Sequence, residues 1–308
     1  MGGHRADTAP ETGSAAGWRC TGIRWSGGRP AIAWDGQGRG ERSSPLSYGQ
    51  RLAFVAGGER HCLGVWRAGK RTPCPAGRTV RGRAGSAQCP ECARLDRSFS
   101  VAADTHAADP RPYRVYLAWF GPGMVKVGIT AEERGAVRLL EQGAVTWTWL
   151  GRGPLMAARR TEELLRAALG VPDRIAYARK RAVRGGLPAE AERAREVAGL
   201  HVRAAGLPGW PESLERLGCA VTDHAGPFGL AGLPAPTRVV RELVPGAGVV
   251  GVLVGAAGPD LHLADGLVVD TRLLAGWELG AAPAGAVTGV PLAAVVPPAE
   301  AGGQDGLF

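Results

Sequence analysis

The chain has 308 residues, 37 basic against 28 acidic side chains, a net charge of +9 and a pI near 9.8. That length suits two or three small domains with a substantial core, and the charge points towards a polyanionic partner. No run of eighteen apolar residues is present, so a membrane-spanning protein is excluded as an expectation, and the opening residues lack the apolar core of a secretory signal.

The charge is uneven. Only Lys70, Lys126 and Lys180 are lysines, and the Gly/Ala/Arg/Pro-rich composition suggests a GC-rich coding bias behind part of the arginine content. Between Gly58 and Ala84 there are seven bases and one acid, and between Gly151 and Ala205 twelve and six; from Val240 onward there are two and seven. The positive field therefore belongs to the first two thirds of the chain. A cytoplasmic protein with reduced cysteines is expected.

Residues 1–16 are low in complexity and read as a disordered tail. In 17–100, "AIAWD" and "QRLAFVAG" read as short strands between Gly/Ser/Pro-rich turns, followed by a cysteine module. Cys62, Cys74, Cys89 and Cys92 give Cys-x11-Cys-x14-Cys-x2-Cys, which predicts one structural zinc site, as in a zinc ribbon. Free thiols or a redox pair are the alternatives; the Arg/Gly-rich loop context argues against the redox pair. His61 and His106 are substitute ligands in reserve, and Cys20 and Cys219 read as ordinary buried thiols. Arg67, Arg71, Arg78, Arg81 and Arg83 fall on this module, either as phosphate-backbone contacts or as solvated charges.

A polar linker, "VAADTHAADPRP", leads into "YRVYLAWFGPGMVKVGIT", two apolar runs around Gly-Pro-Gly that predict a hairpin. "TAEERGAVRLLEQG" reads as one helix with N-cap Thr130, a capping-box Glu133 and a closing Gly143. "AVTWTWLG" alternates as a strand. "PLMAARRTEELLRAALG" places Leu155, Ala158, Leu165 and Leu169 at helical spacing, and two further helices break at Gly185-Gly186. Residues 111–205 thus predict an α/β (α+β) unit in the order strand, strand, helix, strand, helix, helix, with a basic extension carrying Arg179, Lys180 and Arg181. Residues 234–280 predict a small β-meander or barrel with turns at Gly258-Pro259 and Asp265-Gly266, and 281–308 a flexible Ala/Pro/Gly tail.

The "RVY" of one strand, the "KVG" beginning ten residues after Tyr116, Arg138 in "AVRLLEQG" and Glu162 in "TEELLR" resemble the GIY-YIG nuclease superfamily. Taken with the "CPEC" module and the "VVGVLVGAAG…VVDTR" segment, most of Arg51 to Leu279 resembles a bacterial family known as domain of unknown function twenty-seven ninety-seven. The first resemblance implies a three-stranded sheet with helices and a Mg²⁺- or Mn²⁺-dependent phosphodiesterase site. In it Tyr116 orients or deprotonates a water and Lys126, standing where the superfamily has a tyrosine, holds that water or lowers the phenol's pKa. Arg138 clamps the phosphate, and Glu162 rather than Glu163 holds the metal. The implied partner is nucleic acid, DNA in preference to RNA. Each residue also has a plain structural role open to it: Tyr116 a core aromatic, Arg138 and Glu162 ion-paired helix residues. A degenerate fold that binds nucleic acid without cutting it is the alternative.

Overall fold

The computed structural model describes residues 17–67, 70–98 and 109–296. The tail at 1–16, His106 with most of its linker, and 297–308 lie outside these. In chain order the elements are β1 (Arg19–Ser26), β2 (Arg29–Asp35), β3 (Glu41–Pro45), β4 (Arg51–Gly57), β5 (Val65–Arg67), β6 (Lys70–Thr72) and α1 (Pro90–Ser98). There follow β7 (Pro112–Trp119), β8 (Val125–Ala131), α2 (Val137–Gln142), β9 (Thr146–Pro154), α3 (Leu155–Leu169), α4 (Tyr177–Ala182) and α5 (Glu190–Ala205). The last are β10 (Glu215–Arg216), β11 (Thr222–Asp223), α6 (Ala225–Phe228), β12 (Arg238–Val240), β13 (Gly248–Ala257), β14 (Asp260–Leu263), β15 (Leu267–Asp270), α7 (Thr271–Leu274), β16 (Glu278–Ala281) and β17 (Leu292–Ala294). The protein is therefore mixed α+β, and no described helix is long and apolar enough to cross a membrane.

Strands from both ends of the chain build one ten-stranded sheet, in the order β17-β12-β15-β14-β13-β4-β16-β1-β2-β3. The expected separation of an N-terminal strand group from a C-terminal β module does not describe this ladder. β4 pairs antiparallel with β13, Val55 opposite Gly248, and with β16, Ala56 opposite Leu279. The physical reason is the apolar face each half presents: Trp25, Ile32 and Ala56 share one core with Leu253, Leu261 and Val269. Joining the two halves in one sheet lets those apolar faces share a single core. The turns at Gly258 and Gly266 do form, both glycines at positive φ. Within the expected flexible tail, β17 pairs with β12.

The middle of the chain keeps the predicted element order. Its sheet runs β10-β9-β7-β8, with β11 also on β9. Because β7 is central, both its faces are buried and period-two alternation sorts them. Tyr113, Val115 and Leu117 pack in the layer that includes α3, while Tyr116 and Ala118 pack with Leu139 of α2 and with Trp147. The Gly-Pro-Gly turn is clasped from α5: Glu196 accepts from the Trp119 indole at 2.6 Å and from the Gly123 amide at 3.0 Å.

The predicted capped helix after the hairpin is broken in two. Strand β8 continues through Thr130 to Ala131, so Thr130 is a buried strand residue, not a cap. A 3-10 turn at Glu132–Arg134 ends at Gly135, whose φ of +47° stops the helix before α2 begins. Glu133 pairs with Arg111 at 2.6 Å instead of closing a capping box. The predicted stop is real: Gly143 is left-handed at φ +69°, its amide returning to the Leu139 and Leu140 carbonyls.

Candidate functional site

The cysteine module consists of the two-stranded β5–β6 hairpin, a loop and α1. The thiols of Cys62, Cys74, Cys89 and Cys92 lie within 4.8 Å of one another, and the Cys74 and Cys89 sulfurs are 3.9 Å apart. A tetrahedral ion with 2.3 Å metal–sulfur bonds needs sulfurs about 3.8 Å apart. The four thiols can therefore hold a metal such as zinc. Backbone amides are already turned to the sulfurs: Gly64 and Cys89 donate to the Cys62 Sγ at 3.4 and 3.2 Å. Turn amides around Cys74 draw its thiol down to about 7, towards the thiolate a cation binds, whereas burial raises those of Cys62 and Cys92. His61 is outside the quartet, its Nδ1 lying 3.3 Å from the Gly77 carbonyl.

Two expectations need correcting here. The Cys-x2-Cys pair does not sit in an Arg/Gly loop but opens helix α1, so loop context cannot be used against a redox pair. The convergence of two more thiols takes over that part of the argument. Cys219 is exposed, whereas Cys20 is fully buried and its thiol is pushed up to about 12 by that burial.

The second group of residues lies on the hairpin. Tyr116 stands opposite Gly128 and Ala118 opposite Lys126, so these four share a face. A Cβ at Gly128 would overlap the Tyr116 hydroxyl and Cζ, which explains why this position must be glycine beside the tyrosine. Tyr116 is 1% exposed, and its hydroxyl accepts a 2.7 Å bond from the Gln142 amide. Burial raises its pKa, against a smaller opposing pull from Gln142 and from the charge of Arg138.

Lys126 is buried, its ammonium 5.6 Å from the Tyr116 ring centroid and donating to the Asp173 carbonyl at 3.1 Å. Burial first, then the Arg138 charge, lowers its pKa to about 8, while Glu162 and Asp173 pull the other way. Glu162 on α3 is half-buried; desolvation and Asp173 raise its pKa, and Lys126 and Arg159 oppose them. Arg138 on α2 stays half-exposed, 3.6 Å from Glu141. Tyr116 on β7 and Lys126 on β8 thus each feel the charges of Arg138 on α2 and Glu162 on α3.

Two partners in this group were not foreseen from the sequence. Gln142 is four residues after Arg138, hence on the same helix face, a spacing that offered the signal. Asp173 had none: it reaches the site because the Val127 amide bonds the Pro172 carbonyl at 3.0 Å and draws that loop over β8.

The predicted phosphate-binding arginines divide. Arg78, Arg81, Arg83 and Arg179 are exposed, while Arg67 and Arg71 are half-buried. Lys180 and Arg181 are buried, which corrects the expectation of a phosphate-facing stripe on α4. Lys180 sits 3.6 Å from the Phe120 ring centroid and donates to the Gln142 carbonyl at 3.1 Å. Arg181 pairs with Asp260 at 2.6 Å and Asp270 at 3.3 Å, fastening α4 to the larger sheet. The ring faces and carboxylates that hold these two lie far along the chain, where helical spacing gives no hint of them.

One residue outside every prediction is fully enclosed. Arg60, 1% exposed, donates to the carbonyls of Ala275 (2.8 Å), Arg81 (2.8 Å), Gly82 (3.2 Å), Ala84 (2.7 Å) and Arg272 (2.8 Å). It pins the cysteine module's loop to α7.

These features define a mixed α+β protein with a thiol centre able to hold a metal and, apart from it, a buried tyrosine–lysine pair beneath a half-exposed guanidinium. The chain belongs to the protein family of unknown function DUF2797, whose profile matches residues 49–279. No curated protein and no solved structure matches it.

The thiol centre carries its own prediction. Elemental analysis of the purified chain is expected to find about one zinc per molecule, falling to near zero in Cys89→Ser, since three thiolates hold the ion poorly. A metal-free wild type that is stably folded contradicts the assignment.

Proposed function

We propose that the chain is a metal-dependent endonuclease of GIY-YIG type acting on nucleic-acid phosphodiesters, with the cysteine module as a zinc-bound nucleic-acid-binding appendage. The observation that carries this reading is the electrostatic convergence of Tyr116, Lys126, Arg138 and Glu162 from β7, β8, α2 and α3. Perturbed groups of opposite sign gathered beside an accessible guanidinium are a pattern that working sites share, and the accessibility of Arg138 is what sets this group apart from the enclosed Arg60 and Arg181.

Glu162 fits a hard divalent cation: its ionisation is discouraged by burial and by Asp173, so added positive charge would be favoured there. When bound, Mg²⁺ or Mn²⁺ would supply neutralisation of the phosphate's non-bridging oxygens. Arg138, whose Glu141 contact is long, is available to clamp the phosphate with its planar fork. Tyr116, fixed by Gln142, would orient the attacking water, and Lys126 would keep positive charge under the phosphate.

The test is incubation with branched, nicked, single-stranded and duplex DNA, and with RNA, in Mg²⁺ or Mn²⁺. Glu162→Ala and Arg138→Ala are each expected to lower cleavage by at least a hundredfold, on the scale of removing a group that stabilises developing charge. Cleavage that survives both substitutions contradicts the assignment. Salt-dependent binding with no cleavage by any form would instead select a non-catalytic nucleic-acid-binding protein.

A further inference from the structure

A cleft of about 390 Å³ opens where the cysteine module meets the rest of the molecule, walled by β1, the β5–β6 hairpin, α1, α2, α4 and α7. Two guanidinium–aromatic pairs line it from different elements. On the cysteine module, Trp66 and Arg71 are cross-strand partners, the guanidinium 5.3 Å from the indole centroid. On the other side, Arg272 of α7 lies 4.3 Å from the Tyr177 ring centroid. Trp66 is 42% exposed, a large apolar side chain left at the surface. The Arg71 Nη1 donates to the Leu63 carbonyl at 3.3 Å, which holds the guanidinium in the cleft wall beside the indole. Asp96 adds a carboxylate, fixed by the Trp66 amide at 3.2 Å.

The cleft and the Tyr116–Glu162 group meet at Glu141, which lines the cleft. The Tyr177 hydroxyl donates to the Glu141 carbonyl at 3.5 Å, and the Glu141 carboxylate is the group 3.6 Å from Arg138. Flat cationic and aromatic walls with hydrogen-bonding groups between them suit a planar heterocycle. The volume is at the low end of small-ligand pockets, too little for a base pair with its backbones.

Resting on the endonuclease reading above, we propose that this cleft takes one unpaired nucleotide of the bound strand, its base stacked on Trp66. The protein then recognises single-stranded or frayed nucleic acid in preference to intact duplex. Stacking of this kind is tolerant of base identity, and the salt-dependent backbone contacts fall to the exposed Arg78, Arg81 and Arg83.

The experiment uses the full zinc-loaded chain without added divalent cation. Fluorescence anisotropy compares a labelled 12-nucleotide single strand, its blunt duplex and, by competition, free AMP. Tighter binding of the single strand is expected. Trp66→Ala should weaken it about tenfold or more while leaving duplex affinity and zinc content unchanged, and Trp66→Phe should stay within about threefold of wild type. Single-strand affinity within twofold of wild type in Trp66→Ala overturns the proposal, as do equal losses for strand and duplex. Trp66-dependent binding of AMP with oligonucleotide binding independent of Trp66 also overturns it, reassigning the cleft to a free nucleotide. If Glu162→Ala abolishes cleavage while Trp66→Ala binds normally, only this inference fails. A wild type that neither binds nor cuts removes both readings.

Discussion

Arg60→Met is expected to cost about 3–5 kcal/mol of folding stability, because it strands several buried carbonyls without a donor. The guanidinium meets five carbonyl oxygens and no carboxylate, so its charge is compensated only by dipoles. Burial accordingly lowers its pKa to about 10. Removing it leaves those carbonyls buried without donors, each at about 1–3 kcal/mol, offset by relief of the buried charge. Methionine fills much of the volume, so the effect reports lost hydrogen bonds more than a cavity. Arg60→Lys should recover little, since one ammonium cannot reach both the Arg81–Ala84 loop and the Arg272–Ala275 turn. Urea denaturation of the zinc-loaded chain reads the change. A loss below 1 kcal/mol in Arg60→Met would show that water satisfies the carbonyls and that the pin is dispensable.

Arg60 also shows where sequence reading stops. It sits among the seven bases of Gly58–Ala84 and is indistinguishable there from Arg78 or Arg81, which are exposed. What separates it is contact with Arg272 and Ala275, more than two hundred residues away, and no local pattern encodes that distance. The ten-stranded sheet was hidden for the same reason. β2, β4 and the β13–β15 segment are legible as short apolar runs, but pairing across the whole chain leaves no periodic trace. By contrast, the middle unit is built from neighbours in sequence, so alternation, glycine stops and helical spacing reported it in the right order. The break at Gly135 is masked by the Thr130…Glu133 capping pattern around one interior glycine, whose backbone takes a positive φ. The cysteine spacing marks the four thiols that converge, whereas Tyr116, Lys126, Arg138 and Glu162 are grouped in the sequence only by the resemblance that links them. Their partners Gln142 and Asp173 depend on a helix face and on a loop crossing.

The buried basic residues divide by role in a way composition conceals. Lys180 and Arg181 join α4 to Phe120, to Gln142 and to the Asp260–Asp270 pair. The Arg181 charge is therefore structural and unavailable to a polyanion, and burial lowers the Lys180 pKa to about 6, so the formal charge overstates what a polyanion meets. Lys180 holds the carbonyl of the same Gln142 whose amide fixes Tyr116, so α4 supports the site from behind.

Lys126 occupies the opposite position: it costs stability and its charge faces the proposed site. Its pKa of about 8 lies below the roughly 10.4 of an unfolded lysine. Folding therefore disfavours the charged form, and between those values the unfolded chain binds more protons, so stability rises with pH through that window. Lys126→Met should be more stable than wild type at pH 7, by on the order of 2 kcal/mol, with the gap closing towards pH 10 as wild-type Lys126 loses its proton. The lost bond to the Asp173 carbonyl subtracts little, because Asp173 is solvent-exposed and water can replace the ammonium. The same substitution should lower cleavage at least a hundredfold if Lys126 holds positive charge under the phosphate, giving the stability–activity opposition expected of a working residue. Urea melts at pH 7 and pH 10 beside cleavage rates separate the possibilities. A variant less stable at pH 7 would make Lys126 an anchor for the Pro172–Asp173 loop. One that is more stable yet cuts normally would leave Arg138 as the cation that matters.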